Sequence, residues 1–290
     1  MSTPAVREGA GWPALDRSLF LMGVVNATPD SFSDRHGAKS LDELVALAHA
    51  LEADIVDVGG ESGRTDRPAI PVEEEIARVV PLVERLAADG LRLSVDTWRA
   101  PVARAALAAG ATMVNDVSAL SDPALAEACA AADASLVITH TRVPPKVKGF
   151  PEYGDVVADV VELLSDRAAE AEARGVARER LVFDPGVDLG KTPAQSVELL
   201  RRLPELTVLG GPLLVAVSRK DFVGALTGRP PAERDAGTLA ALDRAVEGGA
   251  SILRVHDVPA VRDYLLVRAA LRDGAEQELE LPEELRREVV

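Results

Sequence analysis

Residues 92–115, RLSVDTWRAPVARAALAAGATMVN, hold one complete structural repeat. A short apolar run at 92–95 stops at Asp96. A stretch with Pro101 in its first turn then carries apolar residues at three- and four-residue spacing over 101–109, and a second run at 112–114 stops at Asn115. An unbroken apolar run reads as a strand buried on both faces, and a helix-length spacer before the next run makes the pair a βα unit of a parallel sheet. Outward from this repeat the same punctuation recurs. Runs at 20–25 ending at Asn26, 54–58 with Asp57 ahead of Gly59, and 135–139 ending at His140 are followed by 181–183 ending at Asp184. The last two are 213–217, ending at Ser218 with Lys220 beyond, and 251–253, ending at Arg254 and His256. Helical patterns at 41–51, 72–87, 123–132, 155–174, 193–203, 232–247 and 259–271 fill the other intervals, with Gly175, Gly248 and Gly249 as stop signals. Eight units predict an α/β protein built as a single (β/α)8 TIM barrel over 20–272, with a lead at 1–19 and an acidic tail at 273–290. The loops after the strands build the active site of such a barrel, so polar residues at C-terminal strand ends mark an enzyme.

Composition narrows the class. Hydrophobic residues make up 47% of the chain and aromatics 3%, so the core is expected to be built of Ala, Val and Leu, and an aromatic in a loop stands out. The formal net charge of −15 argues against nucleic acid or an anionic membrane as partner, since either needs a basic surface. An anionic small-molecule substrate must then be met by a local cluster of positive charge. Arg64, Lys220, Arg254 and His256 are placed to make one. The single cysteine, Cys129, lies in an Ala-rich helical stretch and reads as a buried position more readily than as a reactive thiol. With no signal-like or membrane-spanning stretch, the expected location is the cytoplasm. Three loops exceed the usual βα length, at 27–39, 61–71 and 141–153, and long loops on the catalytic face act as lids or binding elements.

Asp96, Asn115 and Asp184 converge from three strands and suit the N–H-rich edge of a flat nitrogen heterocycle. The competing reading is that the two aspartates only cap the next helices. A buried carboxylate is costly unless paired, so Asp184 and Lys220 are expected to compensate each other. Arg254 and His256 alternate at a strand end and should face the same side, where together they can hold an anionic leaving group. Asn26 offers a neutral oxygen of the kind Mg²⁺ accepts beside phosphate oxygens, although an asparagine there is also an ordinary turn residue. His140 lacks a partner at metal-ligand spacing and reads as structural. His36 and His49 read as loop and helix-surface residues.

Seven motifs in order carry a family resemblance: 26–34 (NATPDSFSD), 57–62 (DVGGES), 94–97 (SVDT), 115–118 (NDVS), 184–186 (DPG), 218–220 (SRK) and 254–257 (RVHD). They resemble those of dihydropteroate synthases over roughly 21–271. The resemblance implies condensation of 6-hydroxymethyl-7,8-dihydropterin pyrophosphate with 4-aminobenzoate, with Mg²⁺ present, in a homodimer. It assigns catalytic roles to Asp96, Asp184, Lys220, Arg254 and His256. Substrate contacts are implied for these and for Asn26, Asn115, Phe32, Arg64, Ser218 and Arg219, and Asn26 is the implied metal ligand. The departures fall on the amine side. Where the family reads Glu-Ser-Thr-Arg-Pro, this chain has Gly63 for the threonine, and Gly-Phe-Gly-Lys becomes Asp188-Leu189-Gly190-Lys191. Thr139-His140-Thr141 replaces a methionine-flanked histidine, and Ala216 a glycine. Two alternatives stay open: a pterin-binding paralogue with an altered or lost amine substrate, and a corrinoid-type pterin methyltransferase domain.

Overall fold

The computed structural model describes residues 19–27, 40–63, 65–274 and Arg286. Among them, eight strands alternate with nine α-helices: β1(Phe20–Asn26), α1(Leu41–Ala50), β2(Ile55–Gly59), α2(Val72–Ala88), β3(Leu93–Asp96), α3(Ala100–Ala108), β4(Met113–Asp116) and α4(Ala124–Ala131). The second half is β5(Ser135–Thr139), α5(Val156–Ala173), β6(Leu181–Asp184), α6(Pro193–Arg201), β7(Leu214–Val215), α7(Asp221–Thr227), α8(Asp235–Glu247), β8(Ile252–Val255) and α9(Val258–Asp273). All pairings are parallel in the order β6-β5-β4-β3-β2-β1-β8-β7. A parallel bridge between Phe183 and Leu213 joins the two ends, closing the expected barrel. No described helix is long and apolar enough to cross a membrane.

Local chemistry accounts for the helix starts. Ser40 and Glu43 form a reciprocal capping box on α1, as do Thr192 and Gln195 on α6, each satisfying two backbone donors that the helix leaves open. Three expectations are corrected. The helix anticipated through Leu203 ends at Arg201 and tightens into a 3-10 segment, Leu203–Leu209, since Pro204 supplies no amide hydrogen and its ring crowds the preceding turn. The strand anticipated over 213–217 keeps ladder pairing only at Leu214 and Val215. Helix α7 was not anticipated: seven residues with Gly224 among them are too few to show a periodicity.

Two apolar layers hold the barrel. The outer one lies between strands and helices and includes Cys129, fully buried, whose thiol burial pushes up to about 12. The inner one fills the barrel with Phe20, Met22, Ile55, Met113, Val137, Val182, Leu214 and Ile252. Side chains alternate along a strand, so the residue two positions on points the same way. That step leads from Ile55 to Asp57, Met113 to Asn115, Val182 to Asp184 and Ile252 to Arg254. The inner apolar layer therefore carries a polar layer directly on top of it, at the C-terminal mouth.

Candidate active site

At that mouth lies a cavity of about 530 Å³. Its wall contains Asn26, Asp96, Asn115, Asp184, Ser218, Lys220, Arg254 and His256, eight of the residues singled out from the sequence. Arg219 is not part of the wall. Its guanidinium makes two bonds to Asp235, at 2.8 and 3.2 Å. Phe32 and Arg64, like His36, lie outside the described residues. The second loop instead contributes Ser62, Gly63 and Arg67, and Arg67 is a cation the sequence reading did not select.

Asp57 is the principal omission. Fully buried, it accepts bonds through Oδ2 from Arg254 Nε at 2.7 Å and Asn115 Nδ2 at 3.0 Å. Arg254 Nη2 donates to Asp96 Oδ2 at 2.7 Å. Arg254 is thus clamped between two carboxylates, and among the described residues Nη1 and the second Nη2 hydrogen are left for a ligand. Burial works against the guanidinium charge, but Asp57 and Asp96 outweigh it and hold the group well above its ordinary range. The signal was present in the sequence: Asp57 follows inward-facing Ile55 by two residues.

The expected compensation between Asp184 and Lys220 acts through the field of each on the other and not through a contact ion pair. Lys220 Nζ makes no hydrogen bond or ion pair among the described residues, and Asp184 Oδ1 accepts from Gly186 N at 2.7 Å. Each still feels the other across the cavity. Burial raises the Asp184 carboxyl while Gly186 N–H, Lys220 and Lys191 oppose the rise; burial lowers Lys220 while Asp188 and Asp184 oppose the fall. Neither aspartate caps a helix: α3 has no side-chain cap, and the Asp184 bond closes a turn. Neighbouring Asp116 does act locally, accepting from Ser118 N at 2.9 Å and from Leu120 N.

The Asp96 carboxyl is pushed up to about 7, chiefly by burial; Arg254 opposes this and Asp57, Glu75 and Asp116 add to it. His256 Nδ1 lies 2.9 Å from Ser218 Oγ. Desolvation and the positive field of Arg254, Arg219 and Lys220 pull the imidazole down to about 4, so at neutral pH it is an uncharged hydrogen-bonding group rather than the cation anticipated. His140 is buried outside the wall with Nε2 2.8 Å from Asp159 Oδ1, a structural placement. His49 sits on the surface of α1 beside Asp89, as anticipated.

Asn26 Oδ1 reaches the mouth past Gly59, where a Cβ would stand 2.9 Å from it. Among the described residues no three acidic, histidine or cysteine side chains converge on a common point. The site thus offers hydrogen-bond acceptors and paired carboxylates on β2, β3, β4 and β6. Beyond β7 and β8 it offers a free ammonium, a partly free guanidinium and a neutral imidazole. This is the donor and acceptor set for a flat, N–H-rich ring joined to an anion.

Residues 22–256 match the pterin binding enzyme family. The dihydropteroate synthase of Neisseria meningitidis serogroup C is 44% identical over 261 residues, covering 87% of this chain and 92% of that protein. A protein of Mycobacterium leprae described as inactive dihydropteroate synthase 2 is 42% identical, with 89% of this chain and 92% of its own length covered. The solved dihydropteroate synthase of Xanthomonas albilineans with 4-aminobenzoic acid superposes with a TM-score of 0.82 at 46% identity, covering 89% of this chain and 94% of that one.

Proposed function

The chain belongs to the pterin binding enzyme family, and from that premise we propose that it has dihydropteroate synthase activity. It condenses 6-hydroxymethyl-7,8-dihydropterin pyrophosphate with 4-aminobenzoate to give dihydropteroate and pyrophosphate, a transferase step of folate biosynthesis. The observation that carries this reading is the convergence of Asp96, Asn115 and Asp184 on one cavity that Lys220, Arg254 and His256 also line.

The acceptors Asp96, Asn115 and Asp184 take the N–H groups of the pterin and fix its exocyclic methylene toward the strand-end cations. Arg254 Nη1, Lys220 Nζ and the His256 ring donate to pyrophosphate oxygens. The carbon–oxygen bond breaks with its electron pair leaving on pyrophosphate. The resulting pterin-methyl cation is stabilised by its own electron-rich ring and by the carboxylates, charges already in place before the reaction. The amine nitrogen of 4-aminobenzoate then forms the new bond to carbon and loses a proton. No protein nucleophile is required. The wall suits Mg²⁺ carried with the substrate: Asn26 Oδ1 would hold the ion, with pyrophosphate oxygens and waters completing the oxygen shell Mg²⁺ prefers. When bound, the ion neutralises charge on the leaving group. The working form on this reading is a cytoplasmic homodimer, and sedimentation of the purified protein tests the dimer.

A second reading is favoured by one feature. Gly63 and Leu189, both departures from the family pattern, line the cavity, which makes a pterin-binding paralogue with another amine, or none, the competing assignment. A turnover assay with the pterin pyrophosphate, Mg²⁺ and 4-aminobenzoate separates them. Formation of dihydropteroate supports the synthase; saturable pterin binding without product transfers the assignment to the paralogue.

A further inference from the structure

Behind the cavity wall stands a lysine that the mechanism does not use. Lys191 is 1% exposed, and no carboxylate lies in ion-pair contact with it among the described residues. Its three N–H bonds are shared among His140 Nδ1 at 2.8 Å and the carbonyl oxygens of Gly186 at 2.9 Å, Leu189 at 3.2 Å and His140 at 3.3 Å. Burying an ammonium without a counterion is expensive, and an apolar side chain would fill the same space at less cost. The ammonium is thus accounted for by what it binds. Two of its carbonyls belong to the loop between β6 and α6; the third and the imidazole belong to the residue just after β5. It braces one to the other.

That loop needs a brace. Gly186, Asp188 and Gly190 all have positive φ, at 67°, 62° and 61°, a strained choice for Asp188. At Gly186 a Cβ would stand 2.0 Å from His140 O, so the loop is pressed against the end of β5. The same loop orients the ligand-facing groups: Gly186 N holds Asp184 Oδ1, and Leu189 lines the cavity. Because Lys191 donates to Nδ1, the His140 proton sits on Nε2 and is donated to Asp159, which Arg142 grips in turn at 3.0 and 3.1 Å. The brace is therefore tied back to α5.

We propose that Lys191 is a positioning residue for pterin recognition: from outside the cavity it fixes the turn through which Gly186 N–H aims the Asp184 carboxylate at the ring. This rests on Asp184 binding the pterin. Burial pulls the lysine down to about 7, with Asp184, Asp159 and Asp188 opposing the fall and Lys220 adding to it.

The test is a double-mutant cycle on the full-length protein, read as the affinity of a non-reactive pterin analogue by calorimetry. Lys191→Met should weaken binding about tenfold, and Lys191→Gln, which keeps a donor for the carbonyls, should lose less. In an Asp184→Asn background the Lys191→Met effect should shrink to about twofold or less, since the residue acts through Asp184. Pyrophosphate affinity should stay within about twofold of wild type throughout. Losses that are additive with Asp184→Asn, or shared equally by pyrophosphate, would mean a general structural role and overturn the proposal. So would unchanged pterin affinity in both Lys191 variants. If the wild type itself did not bind the analogue, the pterin reading would fail first, an outcome distinct from either.

Discussion

Single residues in this site have roles that their identity alone does not disclose. Asp96 is drawn up to about 7 because burial and the neighbouring Asp57, Glu75 and Asp116 outweigh Arg254. As the acceptor of a pterin N–H it is strongest when ionised, and it becomes so as pH rises through that value. The affinity of a non-reactive pterin analogue should therefore increase between pH 6 and pH 8, and Asp96→Asn should both weaken binding and flatten the rise. A flat wild-type profile across this range would remove Asp96 from the acceptor set. Asp57 shows the opposite lesson. Its motif is conspicuous in the sequence while its role is not, and in the folded chain it anchors Arg254 and Asn115 together.

Elements decide which residues reach a ligand. The second loop is rooted by Glu61, whose carboxylate lies 2.8 Å from Arg99 and 3.1 Å from Lys146. It therefore springs from a point fixed by the loops after β3 and β5. Gly63 on that loop has open space where a Cβ would stand, and Leu189 on the loop after β6 lines the same cavity. Relative to the family pattern a hydroxyl and a phenyl ring are missing, each worth about 1 kcal/mol of contact. We expect weak 4-aminobenzoate binding and low sulfonamide sensitivity in the wild type. Leu189→Phe with Gly63→Thr should lower the 4-aminobenzoate KM and the sulfonamide inhibition constant by about tenfold or more, with pterin pyrophosphate little affected. Steady-state kinetics on both forms check this, and equal constants for the two proteins would show that the altered wall has no bearing on the amine.

At the scale of the whole molecule, barrel closure brings Arg254 beside Asp57 and Asp96, partners 197 and 158 residues distant in sequence. The guanidinium thus serves stability as well as anion binding. Arg254→Gln leaves buried Asp57 and half-buried Asp96 uncompensated and should lower Tm by about 5 °C or more while weakening pyrophosphate binding about tenfold. His256→Ala should weaken pyrophosphate comparably and leave Tm nearly unchanged, because among the described residues its uncharged ring bonds only Ser218 and compensates no buried charge. Thermal melts paired with pyrophosphate titration read both effects, and equal melting shifts would refute the distinction. By itself the sequence determined the eight strands, their parallel order and the polar residues at their ends. A strand buried on both faces must be apolar throughout, and two-residue alternation carries its last side chain into the mouth, so both facts are written locally. Short α7 left no such local trace, and the run at 213–217 announced β7 without showing that it pairs only at Leu214 and Val215. Which charge meets which was decided only by the tertiary structure: Arg254 held by Asp57 and Asp96, Arg219 drawn away to Asp235, Lys220 Nζ without a hydrogen bond or ion pair among the described residues, His256 uncharged, Lys191 bracing carbonyls. Those choices depend on distances across the closed barrel and on how much water each group loses, and neither quantity exists until the last strand meets the first.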